Sequence, residues 1–215
     1  MEKEFKGIKT LIHSMEKIIS EPEKMQNIIL IIPDEKYKET ITNLIKELVG
    51  LKKTVCFVSV NKTKNALEKE LKEKKVSTEK VYFVDCVSKS ISKGRVKWSD
   101  EKTQYIDNPT SLTQMSLAIF NLFERVKIDF FVLDSINTLL IYNTEKDILK
   151  FVHHTTGKLK ESSQSGIFVF LKQETNEKLL KEFAQFTDKI VQADVPQKEF
   201  KKSGEGMDAF EEIKL

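Results

Sequence analysis

The sequence predicts an α/β fold, a three-layer α/β/α sandwich with a mostly parallel central sheet. One observation is that short runs without charge, such as residues 27–32 (NIILII) and 130–133 (FFVL), suit strands that are buried on both faces. A second is that segments with apolar residues every three or four positions alternate with these runs. Strand–helix–strand units with short links give right-handed crossovers, and therefore a parallel sheet covered by helices.

Length and composition predict one main domain. The chain has 215 residues, of which 40% are hydrophobic, enough to bury a full core. The 36 Lys and Arg nearly balance the 33 Asp and Glu, so the net charge of +3 does not point to nucleic acid or to an anionic membrane. No run approaches the ~18 apolar residues of a membrane span. We therefore expect a cytoplasmic protein with no membrane segment.

The two cysteines fit the same compartment. Cys56 and Cys86 both lie inside apolar strand-like runs. A free thiol in such a run is usually a buried core residue, and a disulfide would need the two Cα atoms within about 7 Å. Two reduced, buried thiols are the expectation.

Strands and helices are predicted in alternation along the chain. The predicted strands are 27–32, 54–60, 80–87, 130–133, 166–171 and 189–193, and the predicted helices are 41–50, 61–75, 112–123, 148–159 and 179–186. Gly50 is expected to act as the C-cap of its helix. Residues 88–109 are polar and break the alternation, so a short hairpin or an exposed loop is expected there.

Three segments follow from this pattern. Residues 1–26 contain a predicted amphipathic helix over 4–20, residues 27–194 form the α/β domain, and residues 195–215 form a polar tail. The apolar stripe of the N-terminal helix consists of Phe5, Ile8, Leu11, Ile12, Met15, Ile18 and Ile19. The stripe predicts that this helix packs on its own domain or, alternatively, binds a partner helix.

The loop after the first strand lies where a P-loop ATPase binds phosphate. Such a loop reads GxxxxGK[ST], because glycines let backbone N–H groups surround the phosphates and the lysine neutralises them. Residues 33–40 read PDEKYKET, so both glycines are missing and Glu39 replaces the lysine, while Thr40 alone fits. The positions of the degenerate motif are Pro33, Lys36, Lys38, Glu39 and Thr40. Asp34 and Glu35 suit a helix N-terminus but would repel a triphosphate, so we expect a helix cap and no ordinary nucleotide binding.

The order of these features resembles the RecA fold of the KaiC-like group, and in particular archaeal KaiC-like proteins that have lost the Walker A motif. Besides the degenerate loop, the matching segments are 57–60 (FVSV), 83–86 (FVDC), 108–109 (NP), 132–135 (VLDS) and 187–190 (TDKI). They run in order through residues 28–194, most of the chain. The resemblance implies a RecA-like sheet and an archaeal source.

The same resemblance implies which site residues are lost. Asp134, followed by Ser135, matches the Walker B acid, which holds Mg²⁺ together with the P-loop hydroxyl and the phosphates. Active relatives carry a glutamate pair after the second strand, and Asn61 and Lys62 stand at those positions. No catalytic residue, metal or cofactor is therefore expected. Asp134 is expected instead to cap neighbouring backbone amides with Ser135.

The sequence thus predicts a catalytically inactive domain, not an enzyme, that acts as a protein-interaction or regulatory module. Its expected partner is an unidentified protein, and a homodimer through the N-terminal helix is a further expectation. One alternative is a weak, atypical ATP-binding protein that uses Thr40, Asp134 and Lys36 or Lys38. Another is a nucleic-acid accessory factor, suggested by basic residues near an aromatic one: Lys89, Lys93, Arg95, Lys97 and Trp98. Neighbouring acids dilute this patch, so nucleic acid is not the expected partner.

Overall fold

The computed structural model describes residues 26–92, 100–174 and 177–193. Its central sheet has seven strands in the order β4-β3-β2-β5-β6-β1-β7, and every neighbouring pair is parallel. The strands are β1 (Asn27–Ile32), β2 (Val55–Ser59), β3 (Val81–Asp85), β4 (Thr103–Tyr105), β5 (Phe130–Asp134), β6 (Ser165–Leu171) and β7 (Lys189–Gln192). The predicted α/β fold with a parallel sheet is confirmed.

Helices cover both faces of this sheet. They are α1 (Tyr37–Gly50), α2 (Lys64–Glu73), α3 (Ser88–Ile91), α4 (Leu112–Arg125), α5 (Ile136–Tyr142), α6 (Glu145–Glu161) and α7 (Glu177–Ala184), with 3₁₀ turns at Asp34–Lys36 and Lys172–Glu174. One buried cluster joins the sheet to α1 and α2, and the other joins it to α4, α5, α6 and α7. The three layers follow from this division. No helix in the described ranges is long and apolar enough to cross a membrane.

Strand β5 lies in the middle of the sheet and contributes to both clusters. Phe130 and Val132 face α1 and α2, while Phe131 and Leu133 face the opposite helices. The Phe131 ring lies 5.7 Å from that of Phe168, measured between centroids. An uninterrupted apolar run is required because successive side chains of a strand point to opposite faces, and here both faces are covered.

The structure corrects the sequence prediction at several places: it adds helices α3 and α5, it adds strand β4, and it moves the C-cap of α1. Strand β4, which pairs with β3, was missed because its three residues contain no apolar run. Gly50 is the last residue of α1 and not its C-cap, which is Leu51. Lys52 takes the left-handed φ of 60°, and the amides of Lys52 and Lys53 donate to the carbonyls of Val49 and Leu48, as in a Schellman motif. The predicted N-terminal helix, the tail and residues 93–99 of the predicted hairpin or loop lie outside the described residues.

Gly166 in β6 provides a test of this packing. A Cβ atom there would lie 2.6 Å from Asn27 Oδ1 and 2.7 Å from Leu159 Cδ1, so something would have to move. We expect Gly166→Ala to lower the free energy of unfolding by about 2 kcal/mol, as overpacking does. The matched control is Gly50→Ala, because nothing lies within 4 Å of that position. Urea denaturation of both variants is the measurement, and an equal effect would contradict the tight packing at Gly166.

Candidate functional site

The predicted site residues meet at the carboxyl edge of the sheet. The loop from Pro33 to Thr40 follows β1, Asn61 follows β2, and Asp134 ends β5. Strands β2 and β5 are neighbours, and Ser59 lies opposite Asp134 in their register. The side chain of Asn61 is hydrogen-bonded to those of Asp134 and Ser135.

The loop after β1 closes on itself before α1 begins. Asp34–Lys36 form a 3₁₀ turn, in which the Lys36 amide donates to the Pro33 carbonyl at 2.9 Å and the Tyr37 amide donates to the Asp34 carbonyl. The Asp34 carboxylate accepts from the Gln173 amide at 3.4 Å, and α1 has no side-chain N-cap bond. The expectation of a carboxylate cap on α1 is therefore wrong. The turn bonds also occupy two amides that a phosphate loop would direct outward.

The other predicted loop residues lie along the first turn of α1. Thr40 is buried, with 1% of its surface exposed, whereas Glu39 is exposed. Lys38 Nζ lies 3.4 Å from Glu70 on α2. Lys36 is the N-cap residue of α1 and has a helical φ of −101°. The loop residue that reaches the acid is therefore none of the five predicted ones.

Tyr37 is the residue that the sequence reasoning missed. Its hydroxyl donates a short hydrogen bond to Asp134 Oδ2. Asn61 Nδ2 lies 3.3 Å from that hydroxyl, 3.5 Å from Asp134 Oδ1 and 3.4 Å from Ser135 Oγ. Thr138 donates a short hydrogen bond to Asn61 Oδ1, which fixes the amide. The available signal was an aromatic hydroxyl inside the degenerate loop, two residues before Glu39.

Burial dominates the electrostatics of this contact. It raises the pKa of Asp134 from its ordinary value near 3.8 to about 6, although the hydrogen bond from Tyr37 and the charge of Lys62 act in the opposite direction. Burial also raises the pKa of the Tyr37 phenol, and the nearby carboxylate raises it further. The phenol therefore stays protonated at neutral pH and remains the donor.

Lys62, which follows Asn61 beside the site, forms an ion pair with Glu70. Its Nζ atom lies 2.8 and 3.0 Å from the two carboxylate oxygens of Glu70, and 5.4 Å from the centre of the Tyr37 ring. Burial raises the pKa of Glu70, but the hydrogen bond and charge of Lys62 lower it overall. Lys62, at one of the two positions where the resemblance implies a glutamate in active proteins, is thus a cation that is already paired.

Asp85, at the end of β3, has the capping role that was expected of Asp134. It accepts from the amides of Lys64, Val87 and Ser88 at 2.7 to 2.8 Å, and from the Ser88 hydroxyl at 2.6 Å. Asp134 accepts instead from the side chains of Tyr37 and Asn61. Ser135 does cap α5, because its hydroxyl accepts from the Thr138 amide at 3.4 Å.

The described residues include no grouping suited to a metal ion and only part of the basic patch near Trp98. Within the ranges that the structure describes, no three His, Cys, Asp or Glu side chains are grouped so that they could hold a metal ion. Of the basic residues near Trp98, Lys89 pairs with Asp107 at 3.0 Å. The other members of that patch, Lys93, Arg95, Lys97 and Trp98, lie outside the described residues.

The fold and this edge define an α/β domain in which a buried acid ends the central strand and is bonded to a tyrosine of the loop after β1. Residues 34–193 match the model of DUF7504, a family of unknown function, and the chain belongs to that family. No curated protein matches the chain.

Two solved structures are similar to this chain. One is the KaiC-like protein PH0186 from the hyperthermophilic archaeon Pyrococcus horikoshii OT3, with 14% identity, a TM-score of 0.48, and coverage of 68% of this chain and 61% of that one. The other is the flagellar accessory protein FlaH from Methanocaldococcus jannaschii, with 16% identity, a TM-score of 0.49, and coverage of 78% and 70%.

Proposed function

We propose that this chain is a catalytically inactive RecA/KaiC-like domain, a pseudo-ATPase, that acts as a protein-interaction or regulatory module. The observation that carries the proposal is the hydrogen bond from the Tyr37 hydroxyl to the Asp134 carboxylate. In a P-loop ATPase the corresponding acid serves Mg²⁺ jointly with the loop hydroxyl and the phosphates. In this chain the loop itself supplies the partner of the acid.

The surroundings of the acid support the same conclusion. Asp34, Glu35 and Glu39 place negative charge where a phosphate would have to lie, at the N-terminal end of α1. Hydrolysis also needs a group that orients the attacking water. The positions after β2 offer an amide, Asn61, and a lysine, Lys62, that is paired with Glu70. Neither can act as a carboxylate base.

An exposed apolar surface beside the site supports a protein partner. Ile141 and Tyr142 are 74% and 48% exposed at the end of α5, the helix that begins directly after Ser135. Large exposed apolar side chains that adjoin one another are typical of protein-binding surfaces. A protein bound there would lie one short helix away from the Tyr37–Asp134 contact.

Calorimetric titration with Mg·ATP tests the inactive state. We expect no binding heat with the wild-type chain or with Asp134→Ala at nucleotide concentrations up to about 1 mM. The Kd for Mg·ATP is then weaker than about 1 mM. Binding tighter than about 100 μM that is lost in Asp134→Ala would overturn the proposal and favour the atypical ATP-binding alternative.

Affinity capture from the native lysate tests the interaction role. The wild-type chain is compared with Ile141→Glu, and Leu51→Glu is the control, because Leu51 is also exposed, at 43%, but lies at the end of α1. We expect at least one protein to be retained by the wild type and by the Leu51 variant and to be lost with Ile141→Glu. Identical captured sets for all three chains would contradict a docking role for this surface.

A further inference from the structure

We propose that the N-terminal segment of this chain, the predicted amphipathic helix over residues 4–20, docks into a groove between α6 and α7. This α6/α7 groove has a volume of about 460 Å³. Leu149, His153 and Phe186 form its walls, and charged residues that include Glu145, Lys146 and Glu182 form its rim. The proposal concerns how the chain completes its own fold, and it is independent of the function proposed above.

The groove has the chemistry that an amphipathic helix requires. Leu149 is half-buried and packs against the core cluster beneath α6. The His153 and Phe186 rings are in contact, with centroids 4.8 Å apart. Apolar walls with a charged rim match a helix that presents one apolar stripe and an otherwise charged surface. The segment over 4–20 has that composition.

The chain enters the sheet beside one end of this groove. The Asn27 side-chain amide donates to the Thr156 carbonyl at 3.4 Å, and its backbone amide donates to Asp188 at 2.8 Å. Thr156 is three residues beyond His153 on α6, about 4.5 Å along the helix axis. Asp188 is two residues beyond Phe186. Asn27 at the start of β1 therefore lies beside residues that continue both walls of the groove.

The lengths of the connecting residues and of the helix fit this placement. Residues 21–25 can span about 17 Å when extended, which is enough to turn from β1 onto the outer surface of α6. A 17-residue helix is about 25 Å long, and α6 itself has 17 residues. The C-terminal tail fits less well because its apolar residues at helical spacing, Met207, Phe210 and Ile213, are fewer than the seven of the N-terminal stripe.

Gly157 leaves room for a close neighbour on the groove side of α6. It follows His153 by four residues, as His153 follows Leu149, so the three lie along one face of α6. Gly157 is exposed, and nothing described lies within 4 Å of a Cβ placed on it. A glycine is unfavourable inside a helix, but it lets the backbone of a packed helix approach closely.

Thiol accessibility in the full-length chain tests the proposal. The two native cysteines are fully buried, and burial raises the pKa of Cys56 to about 12 and that of Cys86 further, so neither competes for a thiol reagent. Gly157→Cys places a thiol on the groove side of α6. His154→Cys, an exposed position of the same helix that does not line the groove, is the control. We expect the thiol at 157 to react with a maleimide about tenfold more slowly than the thiol at 154.

Variants of the segment identify what covers the groove. Ile12→Asp places a charge in the apolar stripe, and Thr10→Asp places the same charge on the opposite side of the helix. We expect Ile12→Asp to remove the protection at position 157 and Thr10→Asp to keep it. Equal reaction rates at 157 and 154, or protection that survives Ile12→Asp, would overturn the proposal, the latter result pointing to the C-terminal tail. Protection that rises with protein concentration would also overturn it, in favour of a second copy of the chain.

Discussion

Replacing Asp85 by alanine is expected to lower the free energy of unfolding by about 4 kcal/mol, among the largest losses for a single side chain here. The Asp85 carboxylate is fully buried and accepts from three backbone amides and one hydroxyl. Bonds to a charged acceptor are stronger than neutral ones, and the three amides have no other described acceptor. The variant would therefore leave several partly buried donors unpaired at the starts of α2 and α3.

Urea denaturation at neutral pH measures this loss, with Asp129→Ala as the matched control. Asp129 accepts one amide, that of Thr54, at 2.7 Å, so its removal should cost about 1 kcal/mol. If the two variants lose similar stability, the number of amides that donate to Asp85 does not explain its contribution to the free energy of unfolding. Asp85→Asn should fall between them, because an amide side chain keeps one acceptor oxygen but loses the charge.

The sheet could be predicted from the sequence because its strands are buried on both faces. Phe130–Leu133 must be apolar throughout, and such a run is visible without any knowledge of its neighbours. Strand β4 lies at the edge of the sheet, and only Thr103 among its three residues is buried. A polar three-residue strand of that kind has no sequence pattern to distinguish it from a loop.

The site was only partly predictable for a different reason. Asp85 and Asp134 both follow four apolar residues at the end of a strand, so the sequence gives them the same pattern. Their environments differ because Asp85 faces the backbone amides at the start of α2 and α3, whereas Asp134 faces Tyr37 and Asn61. Which side chain reaches an acid depends on the order of strands in the sheet and on the path of the loop after β1. The spacing of apolar residues along the sequence contains neither the strand order nor the path of that loop.

Replacing Asp134 by asparagine is expected to raise the free energy of unfolding at pH 7 by up to about 3 kcal/mol. Burial raises the pKa of this carboxyl from near 3.8 to about 6, and each unit of pKa corresponds to about 1.4 kcal/mol. At pH 7 the folded wild type therefore holds an ionised carboxylate in a place that favours the neutral form. Asparagine has the same shape, remains uncharged, and keeps an oxygen that can accept from Tyr37.

The change in the free energy of unfolding with pH tests this prediction, and its direction follows from the raised pKa of Asp134. Between about pH 4 and pH 6 the folded wild type keeps a proton that the unfolded chain has released, so its stability falls as pH rises through that window. The difference in free energy of unfolding between Asp134→Asn and the wild type should be small below pH 4, should grow to pH 6, and should stay constant above it.

Tyr37→Phe removes the donor to the carboxylate and should shift the upper limit of the window to higher pH. Urea denaturation of the three chains from about pH 3 to about pH 7, roughly one unit beyond this window on each side, measures the profile. A difference that does not change with pH would mean that Asp134 is not held in a protonation-sensitive, buried state.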